Sequence, residues 1–583
     1  MTDAQRPPAP PRAPQTATRT APRPGPSGNG QTRPTAAQKT TNGNAKQPAP
    51  VAKTPGRLGR IVSVSGAQAV VQLEHLAEDG PQKGAKAPQI GTLVRMHTEK
   101  STVFGIVSGL NIPVPAEDIL GSEMRILELD LIGESIVNPG ADTPCFQRGV
   151  SFYPSLGDEA FAASQDDLRA IYAQPHVASV RVGTICQDQT LPAYVTVDEL
   201  LGKHFAILGT TGSGKSCAVA LMLRAILTRN ANGHIVLLDI HNEYARSFGD
   251  MAEIVRSESL DLPYWLLNFE EMREIVVGHA HSDREADVAI LKEAILKAKL
   301  KGQDGDERGT YVTADTPIPY RLSEVVRQID DALGKLDKAT DSVPYLRLKE
   351  RLTTLQNDKR YAFMFPGVTV RDTMAAILSR IFRVPVKGKP ITILDLSGVP
   401  SEIMNVVISL LCRVTFDFAL WSERGMPILL VCEEAQRYMG QDATLGFEPT
   451  KRALTRIAKE GRKYGVSLGL ISQRPSDLAI EILSQCNTIF AMRMSNRKDQ
   501  DFVRATLSES TIGLIDVLPT LRTGEAIAVG EGVPVPARLM FDLVSEELRP
   551  HSGTASFSSA WQDDEKSQDF VTAVVQRWRR QGR

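Results

Sequence analysis

Residues 1–56 contain no isoleucine, leucine, phenylalanine, tryptophan or tyrosine, and Val51 is their only valine. A segment this poor in apolar side chains cannot offset the entropy of ordering its backbone, so a disordered tail is expected. Its first 50 residues hold 11 prolines, which argues against the amphipathic helix of a transit peptide, and they lack the apolar core of a signal peptide. Cysteine is scarce as well. The six in 583 residues are Cys145, Cys186, Cys217, Cys412, Cys432 and Cys486. None lies at metal-type spacing from another and six is too few for a disulfide framework, so a reducing, cytoplasmic compartment is expected. No run approaches 18 consecutive apolar residues, and no membrane span is expected. An excess of one charge sign is also missing: 67 Lys and Arg against 68 Asp and Glu leave a net charge of −1. That excludes coating nucleic acid by bulk positive charge, though not gripping it locally. The charge is uneven, because residues 1–50 carry seven cations and one acid, a +6 tail before a −7 body. A solubilising extension accounts for such a tail, and a weak tether to nucleic acid or a partner is the sharper alternative.

Beyond the tail the chain is patterned. The runs RIVSVSGAQAVVQL, IGTLVRMHTEKSTVFGIVSGL and MRILELDLIG alternate apolar and polar residues between glycines, and predict a small N-terminal β-barrel over 57–140. After Gly183, apolar runs at Phe205–Leu208, Ile235–Ile240, Ile391–Leu396, Ile428–Cys432 and Val466–Ile471 alternate with helical stretches. That order predicts a mostly parallel sheet covered on both faces, in an α/β unit spanning 141–548. After Pro400, Ile403, Val407, Leu410, Val414 and Phe418 recur at helical spacing, with Ser401 as the expected cap and Gly425 as the stop. Residues 284–360 are highly charged and helical in period, and predict a helical insertion broken by a loop at Gly302–Pro319. Residues 549–583 form a C-terminal tail. In it Phe570, Val571, Val574, Val575 and Trp578 make one face of a short helix whose end carries Arg577, Arg579 and Arg580.

The strongest motif is Gly209-Thr210-Thr211-Gly212-Ser213-Gly214-Lys215-Ser216, a full G-x-x-x-x-G-K-[ST] phosphate-binding loop. It follows an apolar strand and opens a helix, as the mechanism requires. The glycines let backbone N–H groups turn inward on phosphates, and the helix N-terminus adds partial positive charge. Lys215 is expected to reach the β- and γ-phosphates, Ser216 to ligate magnesium, and Cys217 to lie on the first helical turn beside the nucleotide. Such a loop needs an acid at the tip of a neighbouring strand. Asp239, ending HIVLLD, is one candidate. The pair Glu433-Glu434, ending PILLVCEE, is the better one: Glu433 would hold magnesium through water and Glu434 would orient and polarise the attacking water. Gln473, at the tip of the strand before Arg474-Pro475, fits a γ-phosphate sensor. A basic residue at a helix end can serve a neighbouring subunit as an arginine finger, and Arg462 fits, but the sequence does not separate it from Arg456, Lys463 or Arg474.

With these motifs in place, the chain resembles the HerA family of hexameric DNA translocases, within the HerA/FtsK group of P-loop motors. The resemblance covers about residues 57–550. It rests on LLGKHFAILGTTGSGKS, LLDIHNEY, LPYWLLNFEEM, ILDLSGVP, ILLVCEEAQRY, RIAKEGRKYGVSLGLISQRPSDL and NTIFAMRMSNRKDQDFV in that order. It implies an α/β fold: a RecA-like P-loop ATPase core with a mostly parallel sheet, an N-terminal small β-barrel and a helical insertion. It implies hydrolysis of ATP with Mg2+ between subunits of a homo-hexamer, duplex DNA threaded through a central pore, and a NurA-type nuclease or a defence effector as partner. It implies Glu434 as catalytic base, Gln473 as sensor and Arg462 as trans finger, and it places Asp239 and Glu243 near the nucleotide. Two departures stand out: Ile240 and Asn242 replace residues that are often Pro and Gly, and Gln436 replaces one that is often His. Lys203 occupies a position where relatives can carry a cis basic residue. No nuclease motif is visible, so cleavage would belong to a partner. The competing readings are a conjugation or secretion motor and a nucleotide-regulated scaffold that activates an effector.

Overall fold

The computed structural model describes residues 56–74, 88–112, 124–136, 145–278, 284–301, 311–336, 342–365, 370–440, 448–507, 512–551, 557–562 and 568–580. The expected tail over 1–56, apart from Gly56, lies outside the described residues, as do 302–310 of the insertion loop and most of 549–567.

The first sheet contains β1 (Arg57–Ser65), β2 (Gln68–Leu73), β3 (Leu93–His97), β4 (Thr102–Asn111), β5 (Ile126–Ile136), β6 (Cys145–Arg148) and β7 (Glu159–Ala162). Their order is β2-β1-β7-β3-β4-β5-β6, and β2 also pairs with β5, so six strands close a barrel with β6 added outside. Alternation sends Ile61, Val71, Val94, Met96, Val103, Val107, Leu127 and Leu129 into its core. The closing strand β7 comes from residues 159–162, beyond the 57–140 expected. Its sequence, EAFA, is too short to stand out, yet it pairs with β1 and β3 and so removes two sheet edges.

The second sheet has β8 (Ser179–Ile185), β9 (Asp188–Thr196), β10 (Phe205–Leu208), β11 (Ile235–Asp239), β12 (Ala252–Arg256), β13 (Ile391–Asp395), β14 (Ile428–Cys432), β15 (Val466–Ser472), β16 (Thr488–Met492), β17 (Glu525–Gly530) and β18 (Ala537–Phe541). Their order is β12-β13-β11-β14-β15-β10-β16-β17-β18-β8-β9. The strands from β12 to β16 are parallel, and the rest form an antiparallel wing. This is the expected mostly parallel α/β core. The five predicted strands fall at β10, β11, β13, β14 and β15, each buried along its whole length.

Helices cover the sheet. Among them Ser401–Trp421 has a mean hydropathy of 1.8, long and apolar enough by composition to cross a membrane, but 67% of that window is buried inside the protein. Its aliphatic residues pack in the domain core, where continuous apolar character is what a core helix needs. Ser401 is its first residue and Pro400 its cap, so no serine side chain closes the helix N-terminus; the helix stops at Trp421, before Gly425. The predicted insertion consists of helices Glu285–Lys301, Leu322–Leu333 and Val343–Asn357. Its buried Asp287 pairs with Arg347 at 2.9 Å. The terminal helix Gln568–Arg580 leaves Phe570, Val571, Val574 and Trp578 exposed.

Candidate functional site

Register builds the site. Leu208 at the end of β10 is level with Ser472 of β15 and with Ala491 of β16, and Cys432 of β14 is level with Leu470. The tips of β10, β14 and β15 therefore meet at one edge, where ligands bind in open α/β sheets. Each tip delivers a predicted group: the loop 209–216, the pair Glu433-Glu434, and Gln473.

The loop has the geometry of a phosphate cradle. Gly212 and Gly214 take φ of +74° and +102°, in the region that favours glycine. A Cβ at Gly209 would lie 2.9 Å from Ser213 Oγ and 2.9 Å from Met492 Cβ, so no larger residue fits there. The loop is braced from behind: the Thr210 N–H and hydroxyl donate to the Arg493 carbonyl at 2.9 and 3.0 Å, and Gly524 N–H donates to the Ser213 carbonyl at 2.9 Å. Arg493 and Thr523 both donate to the Gly212 carbonyl, at 3.5 and 3.2 Å. The buried Ser213 Oγ has no hydrogen-bond partner among the described residues. Lys215 opens the helix Lys215–Arg229, buried, with Nζ donating to the Thr210 carbonyl at 3.2 Å. Burial lowers the Lys215 pKa, against the raising pull of Glu433, Glu434 and Glu243. Cys217 is exposed on the first turn.

Glu433 and Glu434 are 2% and 3% exposed, and they face different partners. Glu433 Oε2 accepts from the Tyr244 hydroxyl at 2.6 Å. Burial pushes the Glu433 carboxyl up to about 8, with Glu243 and Glu434 adding to the rise and Tyr244 and Lys215 opposing it. Glu434 has φ +50° and ψ 42°, a left-handed conformation costing a non-glycine residue about 1–3 kcal/mol. The turn points its carboxylate toward the loop: Gln473 Nε2 donates to Oε1, Gln436 Nε2 donates to Oε2, and Thr211 Oγ1 donates to Gln473 Oε1. Thus the loop, Gln473 and Glu434 form one hydrogen-bonded group.

Asp239 and Glu243 divide the work on the next strand. Asp239 accepts from the backbone N–H groups of His241 at 3.3 Å, Glu243 at 3.0 Å and Tyr244 at 2.9 Å, and so shapes its own loop rather than facing the cradle. Burial raises the Asp239 pKa, the N–H groups lower it, and Asp395 adds to the rise. Glu243 is the member that reaches the cradle, accepting from Ser216 Oγ at 2.6 Å. In that loop Asn242 has φ +56°, a conformation that asparagine tolerates better than most residues.

Two basic residues that the sequence singled out lie away from the loop of their own chain. Lys203 precedes the opposite end of β10 and pairs with Glu199 at 2.7 Å and with Glu531. Arg462 lies near the end of helix Glu448–Tyr464, before β15 begins, exposed and without an ion-pair partner among the described residues. The seven residues of β15 separate it from the loop, roughly 20 Å at strand rise. Its competitors are placed differently: Arg456 stacks over Phe416 at 4.1 Å, Arg474 is 4.0 Å from Asp477, and Lys463 is exposed beside Arg462. Sequence reasoning missed the roles of Tyr244, Gln436, Arg493 and Thr523. The first three stand inside the motifs above, but nothing in the spacing says whom their side chains meet.

A glycine cradle at the switch of a parallel sheet, a lysine at its helix and a buried acidic pair two strands away define a P-loop nucleotide hydrolase with a RecA-like core. Residues 180–414 match the family described as the central domain of helicase HerA. The chain is 27% identical over 447 residues to the DNA double-strand break repair helicase HerA of Pyrococcus furiosus, covering 69% of this chain and 75% of that protein. It is also 27% identical over 408 residues to the protein of the same name from Saccharolobus solfataricus, covering 68% and 74%. The chain is an ATP-hydrolysing enzyme.

Proposed function

We propose that this protein is an ATP-driven double-stranded DNA translocase of the helicase type, cytoplasmic, acting as a ring of six copies with a separate nuclease or effector. The observation that carries the reading is the hydrogen-bonded group of Thr211, Gln473 and Glu434. It joins the phosphate loop, a strand-tip amide and a carboxylate, which is the layout for sensing a γ-phosphate and activating water beside it. The names of the relatives, double-strand break repair helicases, supply the DNA.

The residues fit a magnesium nucleotide. The orphan Ser213 hydroxyl and the open side of Gly212 leave room for phosphate oxygens. Lys215 would reach the β- and γ-phosphates, Ser216 and Glu433 would hold magnesium, and Glu243 would orient the Ser216 hydroxyl. The metal would neutralise charge developing on the phosphates. Glu434 takes a proton from the attacking water, and Gln473 orients that water and reads the γ-phosphate. Arg462, roughly 20 Å of strand away from its own loop, would serve a site on another copy and stabilise the transition state there. That requirement supports a ring. Duplex DNA would be held through its phosphates, independently of sequence and weakened by salt.

The test is the ATPase rate with and without duplex DNA over a range of salt. Stimulation that fades as salt rises is expected. A rate indifferent to DNA at every salt concentration overturns the DNA-motor reading while leaving the ATPase in place.

A further inference from the structure

Glu434 is the point at which two chains of donors meet. One starts in the phosphate loop: the Thr211 hydroxyl donates to Gln473 Oε1, and Gln473 Nε2 donates to Glu434 Oε1. The other starts on β15: the Arg474 N–H donates to Ser472 Oγ at 3.1 Å, the Ser472 hydroxyl donates to Gln436 Oε1 at 2.8 Å, and Gln436 Nε2 donates to Glu434 Oε2. The orientation of the Gln436 amide follows from chemistry. An ionised carboxylate only accepts, so the NH2 group faces Glu434 and the carbonyl faces the serine.

The two chains differ in what anchors them. Thr211 and Gln473 border the space that nucleotide enters, and Thr211 is exposed. Ser472 is fully buried in the sheet and its hydroxyl is fixed by a backbone N–H. Gln436 itself sits in the short turn Ala435–Arg437, directly after the left-handed Glu434. A carboxylate on three rotatable bonds beyond a strained backbone needs such a tether to keep one direction.

We propose that Gln436 is the positioning residue of the Glu434 carboxylate. It fixes Oε2 to the strand that carries Gln473, and leaves Oε1 as the oxygen that changes partner, from the Gln473 amide to water, when nucleotide arrives. The inference rests on the reading of Glu434 as general base. Its consequence is that the sensor strand and the base move as one body: a shift of β15 is passed to Glu434 through Ser472 and Gln436 with no contact to the nucleotide.

Steady-state ATPase assays on the full chain test this, with Gln436→Ala, Gln436→Met (similar length, no donor), Ser472→Ala and Glu434→Gln, each checked for parent-like melting and nucleotide affinity. Gln436→Ala and Gln436→Met are expected to lower kcat about tenfold or more with KM for ATP within about twofold, the mark of an interaction used in the transition state. Ser472→Ala, which frees only the far anchor, is expected to lower kcat about threefold. A kcat within twofold of the parent for both Gln436 variants, or a raised KM at unchanged kcat, overturns the positioning role while an inactive Glu434→Gln leaves the base in place. An active Glu434→Gln overturns the base reading and the tether together. If Gln436→Ala does not fold, the volume-preserving Gln436→Met alone decides.

Discussion

The Ser216 hydroxyl donates to Glu243 Oε2 over 2.6 Å, although 27 residues separate the two in sequence. By accepting the hydroxyl hydrogen bond, the carboxylate leaves the serine lone pairs free, and Ser216 would offer one to magnesium. Groups that orient a metal ligand in this way typically contribute 10- to 100-fold in metal affinity. Glu243→Ala is therefore expected to raise the magnesium concentration for half-maximal ATPase by about tenfold, with a smaller effect at saturating magnesium. Glu243→Gln, which still presents an oxygen to Ser216, should shift it less. A magnesium titration at fixed ATP reads both, and an unchanged midpoint for Glu243→Ala rejects the assignment.

Asp239 organises the loop that carries Glu243. Replacing it by alanine leaves the N–H groups of His241, Glu243 and Tyr244 without their shared acceptor. A buried donor left unpaired, as the Tyr244 N–H would be, costs about 1–3 kcal/mol. Asp239→Ala is expected to speed amide hydrogen exchange at these three positions first, and to raise the magnesium concentration for half-maximal ATPase in the same sense as Glu243→Ala. Exchange confined to other segments would count against the role.

The barrel holds a second buried acid with an identifiable pH signature. Asp130 of β5 is 1% exposed, accepts from Gln68 Nε2 at 3.1 Å, and keeps Oδ2 buried without a partner among the described residues. Burial raises its pKa to about 6, Gln68 and Ser108 lower it, and Glu128 raises it further. A carboxyl with a raised folded value contributes its stability fully below its unfolded pKa of 3.8 and loses it as pH rises toward 6. Asp130→Asn removes the charge that must be buried. Its melting temperature is expected to exceed the parent's by a few degrees at pH 8, with the gap closing below about pH 4. A gap of constant size from pH 4 to 8 would show that the charge is not the cause.

The core strands were legible because a strand buried on both faces must be almost wholly apolar, as FAIL, IVLL and ILLVC are and as ITIL and VSLGLI are but for the buried hydroxyls of Thr392 and Ser467. The strand β12, AEIVR, was not, since an edge strand can carry Glu253 and Arg256 and so resembles a loop. The barrel was legible by alternation, but its closing strand was too short to read. At the site, the phosphate loop and the acidic pair announce themselves because their chemistry demands fixed residues at fixed spacing. The partners of those residues do not. Gln436 showed only as an unusual residue, and its meeting with Ser472 depends on the register of β14 against β15, a long-range property that no local pattern encodes. Lys203 illustrates the converse, since the resemblance marked its position, while β10 separates it from the phosphate loop and it pairs with Glu199 and Glu531.

The distance between Arg462 and its own phosphate loop gives the sharpest test of a shared active site. If Arg462 acts on another copy, a ring mixed from Arg462→Ala and Glu434→Gln subunits contains interfaces at which both residues are intact: the loop and Glu434 come from the first subunit, and Arg462 from the second. Each variant alone is expected to lose most of its kcat, about 10³-fold or more for a missing finger. Mixed in equal amounts and allowed to exchange, they should regain on the order of a quarter of the parent rate if interfaces act independently, because each of the two subunit positions at an interface is filled correctly half the time. A finger acting in its own chain offers no such interface, because every subunit then lacks one of the two groups. Activity of the mixture equal to the sum of its parts would therefore remove Arg462 from the trans role and leave Lys463 beside it, or another exposed cation, as the next residue to test in the same way.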